Sequence, residues 1–266
     1  MSATSRQAAK AVAFRALHEG EPFVIPNPWD AGSARVMAAL GFRALASTSS
    51  GFAFTLGRLD GAVTLDEVVA HASALDGATD LPVSIDLENG YGPDPADVVR
   101  AITAVAGAGA VGASIEDFDR VEGLYEPAFA AERIAAAHET AAGLGFPFTL
   151  TARAENHIRG NPDVDDTITR LLAYQAAGAD VLFAPGLATP DEIRAVHDAV
   201  SKPMNVLVWA GMSMAEVVNA GAQRLSVGGG LTWTAVNAMV AAATSLRGSG
   251  DLSGLGQSPP LSDWFA

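Results

Sequence analysis

Carboxylates recur in this chain at spacings suited to holding a divalent cation. Asp86 and Glu88 stand two apart after a short apolar run, and Glu116 closes the next such run in Ser114-Ile-Glu-Asp117. Residues two apart on an extended strand share one face, so Asp86, Glu88 and Glu116 are predicted to meet at one rim. Like charges there repel unless they are protonated or neutralised by a cation. Oxygen donors without His or Cys favour Mg²⁺, with Mn²⁺ as the alternative, over zinc. Mg²⁺ keeps several waters, so a single carboxylate need touch it directly. Arg153 adds one cation to the same region, and each acid alone could instead cap a helix or pair with it. The segment Ser47-Thr-Ser-Ser-Gly51 reads as a βα turn whose hydroxyls and N–H groups could receive a carboxylate. Asp66 and Glu67 open a predicted helix, a structural role. His18, His71, His138 and His197 fall in predicted helices and read as structural, and His157 alone is near the rim. Gly228-Gly-Gly230 follows the last strand, where barrels often bind phosphate, but suits close packing equally well.

Short apolar runs at 23–26, 44–48, 83–87, 112–116, 148–152, 181–184, 205–208 and 224–227 read as strands, each followed by a helix-like stretch. Thr64–Glu67 and Ser213–Glu216 read as capping boxes, and Asp94-Pro95 and Thr189-Pro190 as capped helix starts. Gly41, Gly109, Gly178 and Gly221 each sit where a helix should stop before a strand. This repeated unit predicts an α/β chain folded as a (β/α)₈ TIM barrel. Residues 1–247 are read as the barrel domain with an N-terminal helix in 1–20, and 248–266 as a C-terminal tail whose Trp264 and Phe265 dock on the body or a neighbour. An open nucleotide-binding sheet would carry a Gly-rich turn after its first strand, where Asn27-Pro-Trp-Asp30 stands.

The 266 residues suffice for one such barrel, and 49% hydrophobic against 17% charged residues argues against disorder. A net charge of −14 disfavours nucleic acid and anionic membrane. Without cysteine there is no disulfide, thiolate ligand or cysteine nucleophile. The N-terminus lacks a signal peptide's apolar core, and no apolar run nears the ~18 residues that span a bilayer, so a cytoplasmic protein is expected.

The order Ser47-Thr-Ser-Ser-Gly51, Gly57-Arg-Leu-Asp60, Asp86-Leu-Glu-Asn-Gly-Tyr-Gly92, Ser114-Ile-Glu-Asp117 and Thr151-Ala-Arg153 resembles the isocitrate lyase/phosphoenolpyruvate mutase superfamily, especially its short members. The resemblance implies Asp86 as direct Mg²⁺ ligand, supported by Asp60, Glu88 and Glu116. It implies that Arg153 grips substrate oxygens, with Glu116 the second catalytic residue, and that Thr48, Ser49, Ser50 and Gly51 hold the substrate carboxylate. The activity implied is a Mg²⁺-dependent carbon–carbon lyase acting on a small 2-oxo acid through a metal-stabilised enolate, such as oxaloacetate decarboxylation or a methylisocitrate lyase-like reaction. Phosphonomutase or phosphonopyruvate hydrolase chemistry is one alternative, and a noncatalytic 2-oxo-acid binder another. The family also implies a homo-oligomer, tetramer or dimer, with exchanged C-terminal helices. Two departures stand out. The lyases' Lys-Lys-Cys-Gly-His loop is replaced by residues 117–126, which contain no cysteine, and the phosphonomutase histidine after strand six by Phe183-Ala-Pro-Gly186. Segment 117–127 is expected to be a mobile lid, with Tyr125 or Glu122 as candidate proton carriers and water as the alternative donor.

Overall fold

The computed structural model describes residues 5–265. Residues 1–4 and 266, the outer ends of the predicted first helix and tail, lie outside them. The described strands are β1 (Phe23–Ile25), β2 (Leu45–Ala46), β3 (Val83–Asp86), β4 (Gly112–Glu116), β5 (Phe118–Asp119), β6 (Gly123–Leu124), β7 (Thr149–Arg153), β8 (Val181–Phe183), β9 (Met204–Leu207) and β10 (Arg224–Ser226). The helices are α1 (Ser5–Leu17), α2 (Ala31–Ala39), α3 (Ser49–Thr55), α4 (Leu65–Ala78), α5 (Pro95–Gly107), α6 (Pro127–Ala142), α7 (Val164–Ala176), α8 (Pro190–Ala199), α9 (Met214–Asn219), α10 (Gly230–Ser249) and α11 (Leu261–Trp264).

Eight strands form one parallel sheet in the order β1-β10-β9-β8-β7-β4-β3-β2, and β5 and β6 form a separate hairpin. The predicted barrel is therefore present, with each expected strand found within two residues of its place. The sheet is nearly closed. Between β1 and β2 the Ala46 N–H donates to the Pro26 carbonyl at 3.1 Å. Buried Asn27 reinforces this seam. Its amide donates to the Ala46 and Ser47 carbonyls, and its oxygen accepts from the Val227 and Gly228 N–H groups. An asparagine can do this because it carries donor and acceptor on one short side chain.

Helix starts follow the sequence signals. Thr64 and Glu67 make the reciprocal capping box of α4, and Thr189 and Glu192 that of α8. At α9 only the Ser213 half is made. α1 lies beneath the barrel and buries Lys10, Ala11 and Phe14. α10 continues to Ser249, so the predicted boundary at 247 falls inside a helix. Beyond it, Phe265 rests near Arg35 of α2, whose guanidinium donates to the Phe265 carbonyl at 3.0 Å. Among the described residues no helix is long and apolar enough to cross a membrane.

His71 of α4 stacks on Phe52 of α3, ring centroids 3.9 Å apart, and so helps to seat the helix that borders the cavity described below. Burial pushes its imidazole down to about 4, with Asp30 opposing weakly. The native state thus keeps His71 neutral, while the unfolded chain protonates it near its ordinary value of about 6.5. Its contribution is complete above that value and is lost as pH falls towards 4. His71→Phe keeps the stack and removes a buried Nε2 that has no hydrogen-bond partner. We expect it to flatten the loss of stability between pH 7 and 5, read by urea denaturation at both. An unchanged slope would refute this account of His71.

Candidate active site

A cavity of about 290 Å³ opens where the barrel strands end. Ser49, Ser50, Asp60, Asp86 and Arg153 line its upper part, and Asn205, Arg224 and Ser226 its floor. Strand alternation explains the floor. Ser84 and Asp86, Thr151 and Arg153, and Arg224 and Ser226 are pairs two apart, so their side chains point the same way. Barrel interiors are usually packed with branched apolar residues, and this one is polar.

Arg153 organises the rim. Its guanidinium lies 3.1 Å from Asp86, 3.1 Å from Glu116 and 2.6 Å from Glu155. Arg159 adds a second cation, 2.9 Å from Glu155 and 3.6 Å from Glu116. Burial works against the Arg153 charge, but Glu155, Glu116 and Asp86 together hold it protonated. Burial first, then the charges of Glu155, Asp86 and Glu88, drives the Glu116 carboxyl well above its ordinary range despite Arg153. Asp86 also accepts from the Ser49 N–H at 3.2 Å and the Ser114 hydroxyl at 3.4 Å. The structure brings Asp86, Glu116 and Arg153, which the sequence pattern grouped, to one place. Sequence reasoning assigned no role to Glu155, which ends up fully buried against Arg153 and Arg159.

Glu88 departs from expectation. The strand stops at Asp86, and Glu88 takes φ +48°, a left-handed conformation uncommon outside glycine. Its carboxylate therefore leaves the Asp86 face and lines an adjoining cavity of about 240 Å³ with Glu116. Burial, then Asp86 and Asp60, pushes Glu88 up to about 7. Arg120, which the sequence did not single out, lies 3.6 Å from Glu88 and 3.4 Å from Asp60. It reaches them over Gly61, where any Cβ would collide with its guanidinium. Arg120 sits in the turn of the β5–β6 hairpin, so the segment expected to form a lid is built as a short two-stranded ribbon. Asp117 anchors its base, accepting from Arg170, Tyr174 and the Glu155 N–H. Tyr125 is buried, bonded to Asn89 and stacked against Arg133, and Glu122 is exposed. Neither lines the first cavity, nor does His157, and no proton carrier is found among them.

The Thr48–Gly51 segment forms a helix start where a turn was expected. Thr48 caps α3, accepting from the Gly51 N–H at 3.4 Å, and its hydroxyl lies 3.2 Å from that of Ser50. Ser49 and Ser50 face the cavity, but Asp86 already holds the Ser49 N–H. Gly51 is required here, since a Cβ would meet Thr48 and Thr232 at 2.6 Å. Gly228 and Gly229 complete the opposite wall.

Among the described residues no three His, Cys, Asp or Glu side chains are gathered closely enough to hold a metal by themselves. The four predicted acids are not a cage, because Asp86 and Glu88 face different cavities and Asp60 is held at the rim by Arg120. The donor set nevertheless suits Mg²⁺. It is all oxygen, it borders space for water, and the burial and crowding that push Glu88 and Glu116 towards protonation are what a bound cation would offset.

These features define a parallel α/β barrel of the kind whose ligands bind at the C-terminal ends of the strands. More narrowly, the chain belongs to the phosphoenolpyruvate phosphomutase family, whose model matches residues 14–247, within the isocitrate lyase/PEP mutase superfamily. A crystal structure from Burkholderia cenocepacia, provisionally assigned as a lyase/mutase, is 47% identical, superposes with a TM-score of 0.95 and is matched over 99% of this chain and 98% of that one. Uncharacterized protein Rv1998c of Mycobacterium tuberculosis is 34% identical over 79% of each chain. Oxaloacetate decarboxylase of Bradyrhizobium sp. is 30% identical over 82% of this chain and 77% of its own.

Proposed function

We propose that this chain is a Mg²⁺-dependent carbon–carbon lyase for a small 2-oxo acid, with oxaloacetate decarboxylation the leading reaction. One arrangement carries the reading: Asp86 at the cavity rim, shared between Arg153 and the Ser49 N–H. Asp86 would hold the metal directly, with Glu88, Glu116 and Asp60 supporting it through water. Bound Mg²⁺ supplies a Lewis acid that draws charge from the substrate's keto and carboxylate oxygens. Arg153 donates to those oxygens and fixes their orientation, and the Ser49 and Ser50 hydroxyls receive the carboxylate. Phe183, Ile158 and Leu207 give the cavity apolar walls that limit water. Loss of CO₂ leaves an enolate that water can protonate, so the missing cysteine of residues 117–126 is no obstacle. Likeness to the Bradyrhizobium decarboxylase supports this choice of reaction.

The test is pyruvate release from oxaloacetate with Mg²⁺ and with chelator. Catalysis above the rate of free Mg²⁺, abolished by chelator, is expected; equality with free Mg²⁺ would defeat decarboxylation. The family description favours phosphonate chemistry as the second reading. Phosphorus NMR of phosphonopyruvate decides it, an unchanged spectrum excluding both mutase and hydrolase.

A second copy of the chain completes the assembly in this reading. α10 exposes Trp233, Met239, Val240 and Leu246, and among the described residues Thr232 is its one buried position. An apolar helix this bare is stable in water only when covered.

A further inference from the structure

Arg224 is 5% exposed and sits at the floor of the cavity. Its three hydrogen-bond partners are all neutral. Nε donates to Asn205 Oδ1 at 2.8 Å, Nη2 to Thr151 Oγ1 at 3.0 Å, and Nη1 lies 3.2 Å from His18 Nε2. His18 Nδ1 lies 2.9 Å from the Phe14 carbonyl, which can only accept, so that nitrogen carries the proton and Nε2 accepts from Arg224. Burial first, then the Arg224 charge, holds His18 neutral, down to about 3. Burial likewise lowers Arg224 to about 9, which leaves it charged at neutral pH. Among the described residues no carboxylate pairs with it. Every other arginine on the cavity side is paired: Arg153 and Arg159 with Glu116 and Glu155, Arg120 with Asp60 and Glu88.

A buried charge without a counter-ion is costly, and a guanidinium has five donors, of which three are used here. The remaining donors lie on a cavity whose lower wall adds the Ser84, Ser114 and Ser226 hydroxyls. We propose that this floor is a second anion subsite, and that Arg224 there receives the far carboxylate of a dicarboxylic substrate. Strand geometry sets the scale. Arg224 contacts Thr151, two residues below Arg153 on β7, so the subsite lies about 6.6 Å beneath the rim. A four- or five-carbon diacid bridges that depth once its own oxygens are counted. A monocarboxylate held at the rim leaves Arg224 uncompensated, so the barrel selects for the second negative group. The inference rests on the rim binding a carboxylic acid, as proposed above.

The experiment is calorimetry with Mg²⁺, using oxalate as a rim probe and malate against lactate as a pair differing in the far carboxylate. Wild type should bind malate at least about tenfold more tightly than lactate, a modest share of what a buried charge pair can contribute. Asn205→Asp places an internal carboxylate beside Arg224, and Arg224→Met removes the charge. Both should erase the malate preference and leave oxalate affinity unchanged. Asn205→Asp keeps the guanidinium and gives it a partner, so it serves if Arg224→Met does not fold. Equal malate and lactate affinities in wild type, or a preference surviving in Asn205→Asp, would overturn the subsite. Failure of oxalate to bind wild type would instead defeat the rim reading, while an Arg224-dependent malate preference would still stand by itself.

Discussion

Asp86→Ala is expected to abolish Mg²⁺-dependent oxalate binding while leaving the unfolding midpoint almost unchanged. Removing a residue that merely orients a metal ligand commonly costs about 10–100-fold in affinity, and loss of the direct ligand should exceed that. The fold survives for an electrostatic reason. Asp86 bonds to Arg153, the Ser49 N–H and Ser114, but its charge also repels Glu88 and Glu116. Losing it gives up favourable contacts and relieves like-charge crowding together. Calorimetry with Mg²⁺ and oxalate, beside thermal unfolding of both proteins, reads the two effects separately. Unaltered Mg²⁺ affinity would remove Asp86 from the site.

Arg153→Met should lose both activity and stability. Arg153 is the cation common to Asp86, Glu116 and Glu155, and the Glu155 side chain is fully buried. Breaking a buried pair by deleting one partner costs about 3–5 kcal/mol, because the other charge stays behind. Arg159 remains beside Glu116 and Glu155 and should hold the loss to the lower end of that range. Turnover should fall on the order of a hundredfold to a thousandfold, as when a donor to a developing oxyanion is removed. Urea denaturation and oxaloacetate decarboxylation measure the two losses. A stable variant with unimpaired turnover would show that Arg153 neither balances the acids nor touches the substrate.

The barrel was legible because its signals are local. Helix caps such as Thr64 and Thr189, stop glycines such as Gly178 and Gly221, and apolar runs of strand length each constrain the chain by short-range sterics. Asp86, Glu116 and Arg153 were legible too, since all three end strands. Glu88 misled, because its expected face assumed that β3 ran past Asp86, and nothing in Leu87-Glu88-Asn89 announces a left-handed turn at a glutamate. The α3 start was missed for a different reason. Ser49-Ser-Gly-Phe-Ala-Phe-Thr55 is a poor helix former, and its helix depends on the Thr48 cap and on Phe52 packing against His71. Asn205 and Arg224 were hidden because a polar residue near the start of a short strand looks like its boundary, and Asn27 because it lies past the end of β1. The period-two pairing of Thr151 with Arg153 and of Arg224 with Ser226 was the available clue, and it becomes readable once the strands are known to enclose a lumen.

The bareness of α10 bears on how the chain behaves in dilute solution. Trp233, in its first turn, meets Phe54 edge-on, and its indole and the Ser50 hydroxyl crowd the same space above Gly229. A partner covering the outer side of α10 would therefore press on the cavity wall formed by Ser50 and Gly229. With a second copy as that cover, as proposed above, specific activity should rise with protein concentration, and an assay run at nanomolar enzyme would under-read the assembled form.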